Sequence, residues 1–167
     1  LQSEALTYTL AMTYRPNQKW QINGLISSGF RNPNIDDIGK IRENNGFLLM
    51  PNSFLKPEYA YTFELGIKRT SPNKINFIDL RPFITLVSRH IVRSDFIVFT
   101  DTTTTDEKTI IYNGEEVITQ ANKNLGNRFI YGGSLQGKWS LSKPFEIMGG
   151  ITYTRADRNQ DLSLIHI

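Results

Sequence analysis

Arginine side chains are the groups in this sequence best suited to bind a ligand. Five of them fall near the ends of predicted strands that lead into long connections: Arg31, Arg42, Arg89, Arg93 and Arg128. Guanidinium groups pair with carboxylates and phosphates through two parallel hydrogen bonds, so such a cluster could attract an anionic ligand. The plainer interpretation is that these side chains keep the connections solvated.

Carboxylates and histidines give no pattern typical of catalysis or metal binding. Asp36–Asp37 and Glu115–Glu116 are adjacent pairs whose side chains diverge, which does not suit general acid–base catalysis, although such loops could hold calcium weakly. His90 is the one credible histidine, and a lone histidine is more often a wall or loop residue than a metal ligand. The sequence therefore predicts no catalytic residue, no metal and no cofactor.

Composition narrows the class of protein. The chain has 167 residues, no cysteine and a net charge of +3. Neither a disulfide scaffold nor a Cys-ligated zinc site can form, and so small a charge without a basic cluster does not indicate nucleic-acid binding. The longest apolar runs are four residues, Phe47–Met50 and Phe96–Phe99, whereas a membrane helix needs about 18 or more. No signal peptide is visible at the start.

Alternation of apolar and polar residues is the main structural signal. Side chains along a strand point to opposite faces, so the pattern predicts strands with one apolar face. Between Pro57 and Lys68 the apolar positions are Tyr59, Tyr61, Phe63, Leu65 and Ile67. The same pattern runs over 6–15, 20–30, 128–141 and 145–154. Composition predicts a further strand over 74–92, where Pro82 indicates a bulge near 79–82.

The connections between these strands alternate in length. Three are short turns, at 16–19, 71–74 and 142–144, and two are long, from about Arg31 to Pro57 and from about Arg93 to Asn122. The second long connection contains a predicted hairpin, 108–112 and 116–119, around Asn113–Gly114. In an up-and-down sheet this order puts every short turn at one end and every long loop at the other, which is typical of outer-membrane barrels.

About six long strands are too few to close such a barrel, which starts at about eight strands. Open sheet edges do not survive in hydrocarbon, so this interpretation makes the chain a piece of a larger protein. The alternative is a soluble, secreted β-sandwich domain for binding or adhesion, in which the apolar faces form a core. An outer-membrane enzyme is a weaker third interpretation, because no nucleophile with a base can be assembled.

Two motifs resemble TonB-dependent outer-membrane receptors, of the kind found in Bacteroidetes. The first lies at the end of a strand, where Gly29, Phe30 and Arg31 are followed by a loop with Pro33 and an acidic residue. The second follows one loop later and is similar to the family's "Leu-x-Pro-Glu … Glu-Leu-Gly" strand. Its residues are Leu55, Pro57, Glu58, Glu64, Leu65 and Gly66. A looser match covers 117–122 and Gly132–Gly133.

The resemblance implies a fold and a function. It implies an all-β, antiparallel, up-and-down transmembrane barrel segment of about six strands from a barrel of about 22, with short periplasmic turns and long extracellular loops. It also implies a bacterial outer-membrane location, contact with outer-membrane lipid, and import of a scarce nutrient, of the ferric siderophore, cobalamin or glycan class, into the periplasm. Energy would come from the TonB complex through a plug domain that this stretch lacks. The chain would not be an enzyme.

Site residues follow from the same resemblance. The ligand-facing candidates are Arg31, Asn32, Asn34, Asp36, Asp37 and Arg42. The arginines would either attract an anionic ligand or contact lipopolysaccharide. Haem-importing members carry a histidine in the loop between the two motifs, and 34–55 contains none, which argues against haem.

The end of the chain breaks the alternating pattern. Residues 162–167 read as a translated sequencing adapter, so we expect barrel over 1–161 and a non-native tail over 162–167, with no role for His166.

Overall fold

The computed structural model describes residues 4–96, 109–142 and 144–158. Over these ranges the chain forms eleven strands and one short helix. In chain order they are β1 (Thr9–Asn17), β2 (Trp20–Arg31), α1 (Ile35–Ile38), β3 (Arg42–Asn44), β4 (Phe47–Met50), β5 (Glu58–Thr70), β6 (Phe77–Ser88), β7 (Ile91–Asp95), β8 (Thr109–Tyr112), β9 (Glu115–Asn124), β10 (Asn127–Ser142) and β11 (Phe145–Arg158). Among these residues no helix has the length and hydropathy to cross a membrane.

The chain divides into two compact units. One, here called the sheet unit, contains 4–30, 59–88 and the chain from 127 onward. The other, here called the loop unit, contains 31–58 and 89–126, which are the two long connections. Each unit has a β-sheet of its own.

The sheet unit is a six-stranded sheet in the order β1-β2-β5-β6-β10-β11, which is also the chain order of its strands. Its pairs are antiparallel, as in β1–β2, β5–β6 and β10–β11. The Thr70 N–H donates to the Lys19 carbonyl, which places the end of β5 beside the start of β2. The predicted up-and-down order of six long strands is confirmed.

One face of this sheet is apolar and exposed. Tyr61 is paired with Leu86, and Phe63 with Ile84, so these four side chains lie on the same face. Tyr61 is 41% exposed and Phe63 48%. A soluble β-sandwich would bury these side chains in a core, so the exposed face favours a lipid-facing wall over that alternative.

The opposite face carries polar groups that bond to one another. Thr62 and Thr85 share a hydrogen bond of 2.8 Å between their hydroxyl oxygens. Asp79 is only 4% exposed, and the Arg81 guanidinium donates to both of its carboxylate oxygens, at 3.1 and 3.0 Å. A buried charge needs such a partner, so this ion pair holds the Asp79 side chain on the polar face.

The bulge predicted near Pro82 is wrong. From Phe77 to Ser88, β6 pairs with β10 in one unbroken register, and its register with β5 also does not shift. Two rungs of the β5 ladder, at Leu65 and Gly66, are absent beside Pro82, which has no N–H to donate. The alternation looks shifted in the sequence because Phe77 and Phe83 are aromatic residues on the polar face. The apolar face itself continues without a shift, through Ile78, Leu80, Pro82, Ile84 and Leu86.

The strand predicted over 74–92 is also too long. It ends at Ser88, because Arg89 adopts a left-handed conformation with a φ of 57°. The chain then enters β7, which belongs to the loop unit.

The loop unit contains a sheet in the order β3-β4-β9-β7, with β8 paired to β9. The predicted hairpin around Asn113–Gly114 is confirmed, since Tyr112 pairs with Glu115 and both turn residues have positive φ. The hairpin's predicted first residue, Lys108, and the proposed tail 162–167 lie outside the described residues.

The two long connections are joined through β4 and β9. These strands pair in parallel, with Leu48 beside Thr119. Leu48, Val117, Thr119 and Ala121 are almost completely buried and form the centre of the unit's core. Two segments far apart in the chain therefore fold as one body, which the sequence pattern did not predict.

We expect Gly132→Val to disrupt the β10–β11 pair. A Cβ atom at Gly132 would collide with the backbone carbonyl oxygen of Tyr153, and backbone cannot move aside as a flexible side chain can. Overpacking of this kind costs about 1–3 kcal/mol. The measurement is the urea midpoint of the intact protein in detergent. Gly149→Val is the control, because nothing lies within 4 Å of that position, and equal midpoints for the two variants would refute the pairing.

We expect Phe63→Arg to block insertion of the intact protein into a bilayer. A lipid-facing arginine near the midplane costs about 2–4 kcal/mol. Folded protein would be scored by heat-modifiable migration of outer-membrane fractions. Gln136→Arg, on the polar face of β10, should insert normally. Failure of both variants, or of neither, would contradict the assignment of the faces.

Candidate functional site

The candidate site is a cleft on one face of the loop-unit sheet. Arg42 pairs with Leu49, and Leu49 pairs with Gln120, so the three side chains form one row across β3, β4 and β9. Residues in one row of a sheet point to the same side. The cleft has a volume of about 240 Å³, and its lining residues are Arg42, Asn44, Asn45, Phe47, Leu49, Arg93 and Gln120.

Five of the lining side chains carry polar groups that have no partner in the described part of the chain. Arg42 and Arg93 form no ion pair there, and Asn44, Asn45 and Gln120 form no side-chain hydrogen bond. Asp95, two residues beyond Arg93 on the same strand, is engaged in a contact of its own. The cleft thus offers two guanidinium groups and three amides, beside the apolar surface of Phe47 and Leu49.

Local structure explains how these side chains come together. Asn45 and Gly46 have φ angles of 50° and 78° and form the two-residue turn between β3 and β4. Asparagine followed by glycine favours this turn type, in which both residues need positive φ. The turn places Asn45 at the rim, while the parallel β4–β9 pair brings Arg42 from one long connection to Arg93 from the other.

Two of the predicted ligand-facing residues, Arg31 and Asn34, are hydrogen-bonded to a third, Asp37. Asn34 caps α1 by accepting from the Asp37 N–H at 2.9 Å, and Asp37 accepts from the Asn34 N–H at 3.0 Å in return. Arg31 donates to Asp37 at 2.9 Å, and the Asn122 amide donates to its other oxygen at 3.0 Å. The carboxylate of Asp37 is therefore fully used in holding α1 to β9.

The remaining predicted residues separate. Asp36 is exposed and pairs with Lys40 at 3.0 Å, one helical turn later. Asn32 is exposed in the segment between β2 and α1. Of the six candidates, Arg42 alone lines the cleft.

The second sequence motif also has a structural role. One oxygen of Glu58 accepts from the Ile91 N–H at 2.8 Å and lies 2.9 Å from the His90 Nδ1. Leu55 is buried, and Pro57 leads into β5. In the first motif the Phe30 ring lies 6.5 Å from the Tyr59 ring, which brings the ends of the two motifs together.

Asparagine side chains complete the link between the two long connections. Asn52 donates to the Asn122 carbonyl at 2.8 Å. The Asn124 side chain accepts from the Lys56 N–H at 2.8 Å and donates to the carbonyls of Lys56 and Arg89 at 2.9 and 2.7 Å. These bonds satisfy buried or half-buried backbone groups that take no part in strand pairing.

Within the described ranges, no group of three or more His, Cys, Asp or Glu side chains is placed to hold a metal ion. His90 lies against Glu58 rather than in a cluster of ligands.

Arg93 is among the five arginines singled out from the sequence, but the sequence did not predict that it lies near Arg42. The other polar and aromatic residues of the cleft, Asn44, Asn45, Phe47 and Gln120, were not predicted. One signal was present: Asn45–Gly46 is the same dipeptide as the hairpin turn at Asn113–Gly114. The pairing of β4 with β9, by contrast, joins two distant segments and produces no local pattern in the sequence.

Comparison with known proteins gives one family. The family model "TonB dependent receptor-like, beta-barrel" matches residues 2–165. No curated protein matches the chain.

Several solved structures share the fold. The siderophore receptor PirA from Acinetobacter baumannii has a TM-score of 0.70 and 19% identity, over 93% of this chain and 23% of that one. The ferric enterobactin receptor PfeA from Pseudomonas aeruginosa has a TM-score of 0.69 and 15% identity, over 89% and 21%. The hemophore receptor HasR from Serratia marcescens, solved with HasA and heme, has a TM-score of 0.65 and 18% identity, over 91% and 22%.

This chain spans less than a quarter of each of these three structures. Its open six-stranded sheet agrees with part of a larger barrel. The match over residues 2–165, the strand order and the exposed apolar face lead to one conclusion: the chain belongs to the TonB-dependent receptors and forms part of their outer-membrane β-barrel.

Proposed function

We propose that the receptor containing this chain binds an anionic small-molecule nutrient at the cell surface and imports it into the periplasm. The observation that carries this proposal is the cleft in which Arg42 and Arg93 converge without an acidic partner among the described residues. Unpaired guanidinium groups in a shared cleft suit a ligand with carboxylate or catecholate oxygens.

Among the nutrient classes that the family imports, this chemistry favours a ferric siderophore over cobalamin or a neutral glycan. Two of the similar structures are a siderophore receptor and a ferric enterobactin receptor. The related hemophore receptor was solved with heme, but here the one histidine of the loop unit, His90, lies against Glu58.

Import would use the machinery that the family shares. Energy would reach the receptor from the TonB complex through a plug domain encoded outside this chain. The residues of the cleft would act by binding, and no catalytic step is required of them.

In the full-length receptor, we expect the double substitution Arg42→Gln and Arg93→Gln to weaken binding of a ferric tricatecholate by about 100-fold or more. Each lost charge-assisted hydrogen bond contributes about 1.5–3 kcal/mol, and about 1.4 kcal/mol is a factor of ten. Binding would be measured by quenching of tryptophan fluorescence.

The matched control is a second receptor variant, Lys40→Gln, which removes a cation that pairs with Asp36 outside the cleft. It should bind as tightly as the wild type. If the double variant also binds as tightly as the wild type, the cleft is not the ligand site.

A further inference from the structure

A second group of cations lies in the sheet unit. The segments 14–20 and 67–78, which contain two of the three short turns, hold Arg15, Lys19, Lys68, Arg69 and Lys74 and no aspartate or glutamate. The short turns of a TonB-dependent receptor face the periplasm. This end of the wall is therefore strongly basic where it meets the inner leaflet.

A cleft of about 420 Å³ opens among these residues. Its lining includes Lys19, Arg69 and Thr70 together with Phe77, Ile78 and Trp139. Arg69 pairs with Ile78 across β5 and β6, so its side chain lies on the exposed apolar face of the sheet. The Arg69 guanidinium lies 5.5 Å from the centre of the Trp20 ring, which holds it by a cation–π contact.

Trp139 closes the cleft on the β10 side. Its ring lies flat across Gly137, where a Cβ atom would collide with it. Trp139 is 46% exposed and Trp20 38%. Tryptophan at the end of an apolar face marks the level of the lipid headgroups.

The positive charge in this cleft has no counterpart in the described part of the chain. Arg69 and Lys19 form no ion pair and no side-chain hydrogen bond there. Other cations of the sheet unit do have acidic partners: Arg81 pairs with Asp79, and Lys138 with Glu146. An arginine on a lipid-facing surface is costly unless it reaches the interface and finds an anion.

We propose that this cleft binds the phosphate group of a phospholipid from the inner leaflet of the outer membrane. Arg69 donates to the phosphate oxygens, and Lys19 adds a second cation from the turn. The acyl chains extend over Ile78 and Trp139 along the apolar face. A soluble phosphate compound would use the cations but not this apolar surface, so the combination favours a lipid.

The test is native mass spectrometry of the full-length receptor released from detergent, with dioleoylphosphatidylglycerol as the probe. We expect the wild type to retain this lipid, and the double substitution Lys19→Gln and Arg69→Gln to lower its retention at least fivefold. Dioleoylglycerol, which lacks the phosphate, and glycerol phosphate, which lacks the chains, should both be retained poorly.

The matched control is the variant Arg155→Gln. Arg155 lies on the same face, because it pairs with Tyr131, but at the opposite end of the sheet. It should retain the lipid as the wild type does. If the double variant does not reach the folded state on a heat-modifiability gel, Lys19→Gln alone provides the comparison, since Lys19 lies in a turn and only its backbone bonds to β5.

Unchanged retention in the variants at Lys19 and Arg69 would overturn the proposal. Equal retention of glycerol phosphate would also overturn it, since the cleft would then be a site for soluble anions. Neither result bears on the siderophore proposal, because Arg42 and Arg93 belong to the other unit.

Discussion

Strand register is the constraint on which the apolar face of the sheet unit depends. A slip of one residue in any strand would move its apolar side chains to the polar face and its polar side chains into lipid. The register holds even at Pro82, where the residue paired with it on β10 is Gly133. A Cβ atom at Gly133 would approach Pro82 to 3.3 Å, so the absence of a side chain there leaves room for the proline ring. Inside hydrocarbon a slipped register would leave further N–H and carbonyl groups without partners, because no water is present to satisfy them.

The long connections are ordered without a large hydrophobic core. A few almost completely buried residues, such as Leu48 and Val117, form a small apolar centre. Around it, side chains of one connection satisfy backbone groups of the other, as Asn124 does for Lys56 and Glu58 for Ile91. Of the two family motifs, Arg31, Pro33, Leu55, Pro57 and Glu58 belong to the loop unit. Arg31 and Glu58 bond within it, to Asp37 and to the Ile91 N–H.

Polar groups that have partners within the chain distinguish the framework from the candidate sites, where polar groups lack such partners. The carboxylate of Asp37 has three donors and Asp79 is held by Arg81, so neither is open to a ligand. Arg42 and Arg93 in the loop unit, and Lys19 and Arg69 in the sheet unit, lie in clefts without acidic partners among the described residues. The two clefts differ in their surroundings: amides accompany the first pair of cations, whereas tryptophan and an apolar face accompany the second. That difference is why the first suits a soluble anion and the second a lipid headgroup.

Sequence patterns alone predict the six long strands, the order of short and long connections and the family. Alternation with a period of two is a local pattern, and it remained readable over β5 and β10 without any knowledge of their partners. It failed where a local pattern was ambiguous, as at Phe77 and Phe83, whose aromatic rings lie on the polar face. The bonds of Asp37 to Arg31 and Asn122, and the meeting of Arg42 with Arg93, follow from tertiary contacts. Those outcomes depend on the pairing of β4 with β9, some 70 residues apart in the chain, and contacts across such a distance follow from the packing of the whole unit rather than from the order of neighbouring residues.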